Sequence, residues 1–194
     1  MEHNVRRHAL RGALAFLLII PNSLAVARSL RDEAIGYRIE GYEAQRRGDL
    51  ANALSLYQKA AALDSTYPTP HNDIGVLLEE QERLEEAEQA YRQALTLSPN
   101  YLEAHANLAM LYERMGQKER AIYHWLKRYQ LGDPHDPWTA RAEERLVALG
   151  VLKSYPGLKG QIYTRRRVIT QELQANDRSI EEFHAVTEEQ GGWP

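Results

Sequence analysis

Small and bulky apolar side chains return along this chain every 34 residues. Ala53, Ala87 and Ala121 share one slot, Tyr57, Tyr91 and Trp125 a second, and Leu63, Leu97 and Leu131 a third. Other positions keep the same register: Ala60 with Ala94, Leu50 with Leu84, Gly75 with Ala109, and Ala44 with Leu78 and Tyr112. Within a period the spacing is helical. Ala53, Tyr57 and Ala60 stand at i, i+4 and i+7, one face about 100° wide, and small-large-small makes a seat for a neighbouring helix. Breaks divide each period: Gly48-Asp49, Glu82-Arg83 and Gly116-Gln117 near the middle, then Asp64-Ser65-Thr66-Tyr67-Pro68 or Ser98-Pro99-Asn100 near the end. Gly readily takes the left-handed conformation that ends a helix. Each period therefore predicts helix A, a tight turn, helix B and a short connection.

These residues resemble the tetratricopeptide repeat (TPR) family in three units, near residues 34–67, 68–101 and 102–135. The second unit carries the pattern most fully, through Ile74, Gly75, Leu78, Ala87, Tyr91, Ala94 and Pro99. The first has Tyr37, Gly41, Ala44, Ala53, Tyr57 and Ala60, with Glu40 and Ser65 departing from it. The third has Leu108, Ala109, Tyr112, Ala121 and Trp125, but Arg128 replaces a small residue. Looser packing there, or an Arg side chain reaching outward to water, is the expectation. The resemblance implies an all-α fold, an α-solenoid of about three helix-turn-helix units plus a C-terminal capping helix and a helical tail.

The cap is expected over residues 136–150. Asp136 suits an N-cap, Pro137 a first turn, and Gly150 lies one period beyond Gly116. A solenoid end needs an atypical element with a polar outer face, and the Arg and Glu residues of this stretch meet that need. Residues 151–194 form a tail with short helical stretches, one near Arg165–Gln174 and another from Ser179, whose spacing to Glu182 is that of a capping box.

Residues 1–27 read as an export signal. Arg6, Arg7 and Arg11 precede eight uninterrupted apolar residues, Ala13 to Ile20, followed by Pro21-Asn22-Ser23 and Ala25-Val26-Ala27. Eight is far short of the roughly 20 needed to span a bilayer. Cleavage after Ala27 is favoured over a retained anchor, and the expected location is a bacterial periplasm or cell envelope.

Composition narrows the chemistry. The 194 residues include no Cys, which excludes disulfides and thiolate chemistry, and 24 basic against 27 acidic residues leave a net charge of −3, poorly suited to neutralising nucleic-acid phosphates. The sequence contains no phosphate-binding Gly-rich loop, nucleophile elbow or His-Glu-x-x-His helix. No catalytic residue, cofactor, metal or small-molecule substrate is expected. His71 and His105 share a repeat slot and are read as packed residues on adjacent A helices. Arg165-Arg166-Arg167, followed by acidic residues, is read as a solvated helix face.

If the B-helix aromatics fill the space between helices, the A helices line a concave peptide-binding groove. By phase its residues are Arg38 and Tyr42, then Asn72, Asp73 and Val76, then Asn107, Met110 and Arg114, with Arg38 and Arg114 suited to carboxylates. A TPR subgroup grips the carboxylate end of chaperone tails from such slots, but Tyr42, Asp73 and Glu103 depart from its pattern. The expected function is a non-catalytic interaction module holding a protein or peptide partner. The alternative is a membrane-tethered structural component of an envelope assembly, acting through its convex face or tail.

Overall fold

The computed structural model describes residues 29–151 continuously, together with Val26, Gly157 and residues 160–164, 167–172, 174–175 and 178. The export-signal reading, Val26 excepted, and the Ser179 cap lie outside the described residues. Among the described residues there is no strand, and no helix is long and apolar enough to cross a membrane.

The contacts group the chain into two compact units, Met1–Ala104 and His105–Pro194. The first contains α1 (residues 29–46), α2 (Leu50–Leu63), α3 (Pro68–Glu80) and α4 (Leu84–Leu97). The boundary falls within α5 (Leu102–Arg114), and the second unit continues through α6 (Lys118–Leu131) and α7 (Pro137–Ala148).

The repeated slots are the core. Ala53, Ala87 and Ala121 are fully buried, as are Tyr91 and Trp125, and Tyr57 is 1% exposed. In the first unit Ala44, Ala53, Leu56, Tyr57 and Leu77 form one apolar cluster, with Tyr37, Leu50, Leu54 and Ile74 packed against it. Helices A and B approach closely because the A helix offers glycine opposite the ring. A Cβ on Gly41 would lie 2.7 Å from Tyr57 Cδ1, and one on Gly75 only 2.4 Å from Tyr91 Cε1, inside the ~3.5–4.0 Å of ordinary carbon contact.

The turns also obey the period. Gly48, Glu82, Gly116 and Gly150 have φ of 80°, 59°, 71° and 78°, so Glu82 takes the left-handed conformation that its counterparts reach as glycine. The backbone bonds repeat with it: Asp49 N donates to Ala44 O (3.0 Å), Arg83 N to Leu78 O (2.9 Å) and Gln117 N to Tyr112 O (2.8 Å). These contacts satisfy carbonyls that a helix end leaves without intrahelical partners.

Arg128 overturns the expectation of an outward-reaching side chain. It is 4% exposed, donates to Thr139 Oγ1 at 2.8 Å and pairs with Asp136. Asp136 is also the N-cap of α7, accepting from Trp138 N at 3.2 Å. Where two repeats place alanine, the third inserts a guanidinium that binds the start of the next helix. Burial of a charge is tolerated because it is both paired and hydrogen-bonded. Beyond α7, the side chains of Val151 and Ile162 are buried, each 2% exposed.

Candidate functional site

Each buried aromatic carries a polar tip that needs a partner, and the helical hairpin supplies it from one repeated position. Tyr57 donates its hydroxyl to Gln45 Oε1 at 2.9 Å, Tyr91 to Glu79 Oε2 at 2.6 Å, and Trp125 its indole N–H to Glu113 Oε1 at 2.5 Å. Gln45, Glu79 and Glu113 are themselves 34 residues apart. The sequence reading missed these acceptors although their period was visible. Burial pushes the Tyr57 hydroxyl up to about 12. Burial and the Glu79 hydrogen bond hold the Tyr91 hydroxyl far above its ordinary value.

In the first unit the residues phased to the groove are largely engaged with one another. Arg38 Nε donates to Asp73 Oδ2 at 2.6 Å. Asn72 is buried and hydrogen-bonds the same carboxylate, so its side chain is a support for Asp73 instead of an open recognition group. Burial pushes the Asp73 carboxyl up, against the opposing effect of Arg38. Val76 is half-buried, and Tyr42 is 53% exposed. Tyr101 stands in the same electrostatic neighbourhood; burial raises its hydroxyl, partly offset by a hydrogen bond with Thr69. Arg38 thus meets the carboxylate that the sequence suggested, but the carboxylate is internal.

In the second unit Asn107 and Met110 are half-buried and Arg114 is exposed. A cavity of about 290 Å³ is lined by Met110, Glu113, Trp125, Arg141 and Arg145. Arg145 Nε donates to Glu113 Oε1 at 3.1 Å, and its terminal nitrogen pairs with Glu113 Oε2. Burial would raise the Glu113 carboxyl, but hydrogen bonds from Arg145 and Trp125 and the charges of Arg145 and Arg141 hold it below its usual value. Arg141 lies over the Trp138 ring, 5.2 Å from its centroid. Of the cavity residues, only Met110 was among the groove candidates.

His105 is buried, in keeping with its reading as a packed residue. His105 Nδ1 is 2.9 Å from Nδ1 of His124, whose ring contacts those of Tyr112 and Tyr123. One imidazole donates and the other accepts across that contact. Among the described residues no group of three or more His, Asp or Glu side chains is placed to hold a metal ion.

Comparison with known proteins gives the class. Residues 78–116 match the family described as TPR repeat. The TPR repeat-containing thioredoxin TTL4 of Arabidopsis thaliana is 36% identical over 91 residues, 47% of this chain but only 13% of that protein. Two solved structures share the fold: PcrH in complex with the chaperone-binding region of PopD, and the first TPR of Spaghetti (RPAP3) bound to the HSP90 peptide SRMEEVD. PcrH has a TM-score of 0.57 and 19% identity, covering 63% of this chain and 94% of its own. For the RPAP3 domain the values are 0.56 and 16%, covering 64% and 95%. The chain carries tetratricopeptide repeats and has the all-α fold of TPR domains.

Proposed function

We propose that this protein is a non-catalytic interaction module whose A-helix faces hold a peptide segment or helix of a partner. The observation that carries the reading is the division of labour within each hairpin. The B-helix aromatic is buried and tied by its polar tip, leaving the A helix to present exposed side chains such as Tyr42 on α1 and Arg114 on α5. A helix surface already ordered by its own hydrogen bonds loses little entropy on binding. PcrH and the RPAP3 domain, which share the fold, are seen with peptide partners, and this supports the same use here. The Arg38–Asp73 pair argues against gripping a terminal carboxylate at Arg38, because Asp73 already neutralises it.

We place the working protein outside the cytoplasm on the strength of the basic-apolar-small order of residues 1–27. Intact mass of the exported protein tests that directly: loss of those residues supports it, and their retention overturns cleavage. Crosslinking in native cells, with mass-spectrometric identification of the captured protein, supplies a ligand for titration. Tyr42→Ala and Arg114→Ala should together weaken that purified partner's binding at least tenfold without changing the helical content. Unchanged affinity would refute use of the A-helix faces.

A further inference from the structure

We propose that the cavity over Trp125 is a subsite for the carboxylate side chain of an acidic peptide segment with apolar neighbours. This deepens the interaction-module reading and rests on it. About 290 Å³ is at the small end of ligand pockets, which run from about 300 Å³ upward. It suits one or two side chains of a longer chain better than a whole small molecule. Its lining combines the Met110 thioether and the Trp125 indole with two guanidinium groups, Arg141 and Arg145. Met110 gives contact area beside the buried indole, and the cations select charge.

The site already demonstrates that its donors fit a carboxylate. Glu113 takes Arg145 through both oxygens and the Trp125 indole N–H through one. Glu113 neutralises only one of the two cations. Arg141, four residues earlier on α7, has no carboxylate partner among the described residues; its guanidinium lies over the Trp138 ring. Its charge is nevertheless felt within the site, since it contributes to holding the Glu113 carboxyl low. The cavity therefore carries an excess positive charge from Arg141 next to an apolar floor. An incoming carboxylate can meet Arg141 while a flanking residue packs on the half-buried Met110, next to the fully buried indole.

Three peptides test this with the full chain: Ac-Leu-Glu-Glu-Leu-NH2, its Gln counterpart with an amidated end, and the Gln counterpart with a free C-terminal carboxylate. The readout is the NMR shift of the Trp125 indole N–H, assigned through Trp125→Phe. The Glu peptide should shift that signal and bind about fivefold tighter than the amidated Gln peptide, the scale of an exposed ion pair. Arg141→Gln should erase the difference, Arg141→Lys should retain part of it, and Lys118→Gln, on the exposed start of α6, should leave it intact. Equal affinity for the Glu and amidated Gln peptides, or a preference unaltered by Arg141→Gln, overturns the subsite. So does preference for the free-ended Gln peptide over the Glu peptide, which would assign the charge to a chain terminus. Any of these results leaves the wider module reading to its own test, the Tyr42 and Arg114 dependence of partner binding.

Discussion

Gly75→Ala sets two measurable effects against each other. In an unobstructed helix interior the substitution stabilises by about 1 kcal/mol, because glycine has more backbone entropy to lose. Here the new Cβ would lie 2.4, 2.6 and 2.8 Å from Cε1, Cδ1 and Cζ of Tyr91. The ring cannot step aside easily: it is fully buried, and its hydroxyl is held by Glu79 at 2.6 Å. Separating α3 from α4 would relieve the overlap only by opening the core. Overpacking of this kind costs about 1–3 kcal/mol, so the net expectation is a loss of up to about 2 kcal/mol once the propensity gain is subtracted. Tyr91→Ala alone should cost about 3–5 kcal/mol. In that background Gly75→Ala should change sign and stabilise by about 1 kcal/mol, because the obstructing ring is gone. The coupling between the two sites is then about 1–3 kcal/mol, within the range for residues in contact. Urea unfolding followed by circular dichroism closes the cycle, with unchanged denaturant slopes as the control. A rise in stability from Gly75→Ala in the otherwise native chain would refute the close-approach argument. So would additivity within about 0.5 kcal/mol.

Three further features are each open to substitution. Gly116→Ala meets no atom within 4 Å, yet should lose about 1 kcal/mol or more in thermal unfolding because φ is 71°; Glu82→Gly, at φ 59°, should move in the opposite direction. Asp136→Ala breaks the ion pair to the buried Arg128 and removes the α7 cap, so urea unfolding should register a loss of about 3–5 kcal/mol, whereas Arg128→Leu, which leaves the partly exposed Asp136 in place as the cap, should lose less. The depressed Glu113 carboxyl binds protons less readily in the folded state than its ordinary 4.5. Its contribution is complete above that value and declines as pH falls through the lower folded one. Arg145→Gln should reduce this acid-side slope in pH-dependent urea titrations, and an identical slope would count against the Glu113–Arg145 assignment.

The sequence by itself determined the hairpin architecture, because a helix face is a local property. Ala53, Tyr57 and Ala60 fall on one side of a helix wherever that helix is placed. Recurrence of the slot at Ala87 and Ala121 specifies the same packing unit again. The breaks at Gly48 and Gly116 were legible for a similar reason, since a left-handed turn residue and a local backbone bond end a helix without distant help. Even Glu82, chemically unlike its glycine counterparts, was marked by its place in the period.

Tertiary structure alone decided which polar side chains meet. Arg38 and Asp73, 35 residues apart, were both visible as groove candidates, but their pairing requires the distance between α1 and α3. His105 was matched with His71 by repeat slot, whereas its ring meets His124 on α6. Arg128 looked like an intruder in an alanine slot until Thr139 and Asp136 were brought to it. Arg141 and Arg145 became cavity residues only when α7 placed them beside Trp125. Hydrophobic periodicity tells each helix which side to bury, but an ion pair depends on where two long side chains end, and that is set by helix separation and rotation. The repeat fixes a residue's address within its hairpin; packing between helices chooses its neighbour.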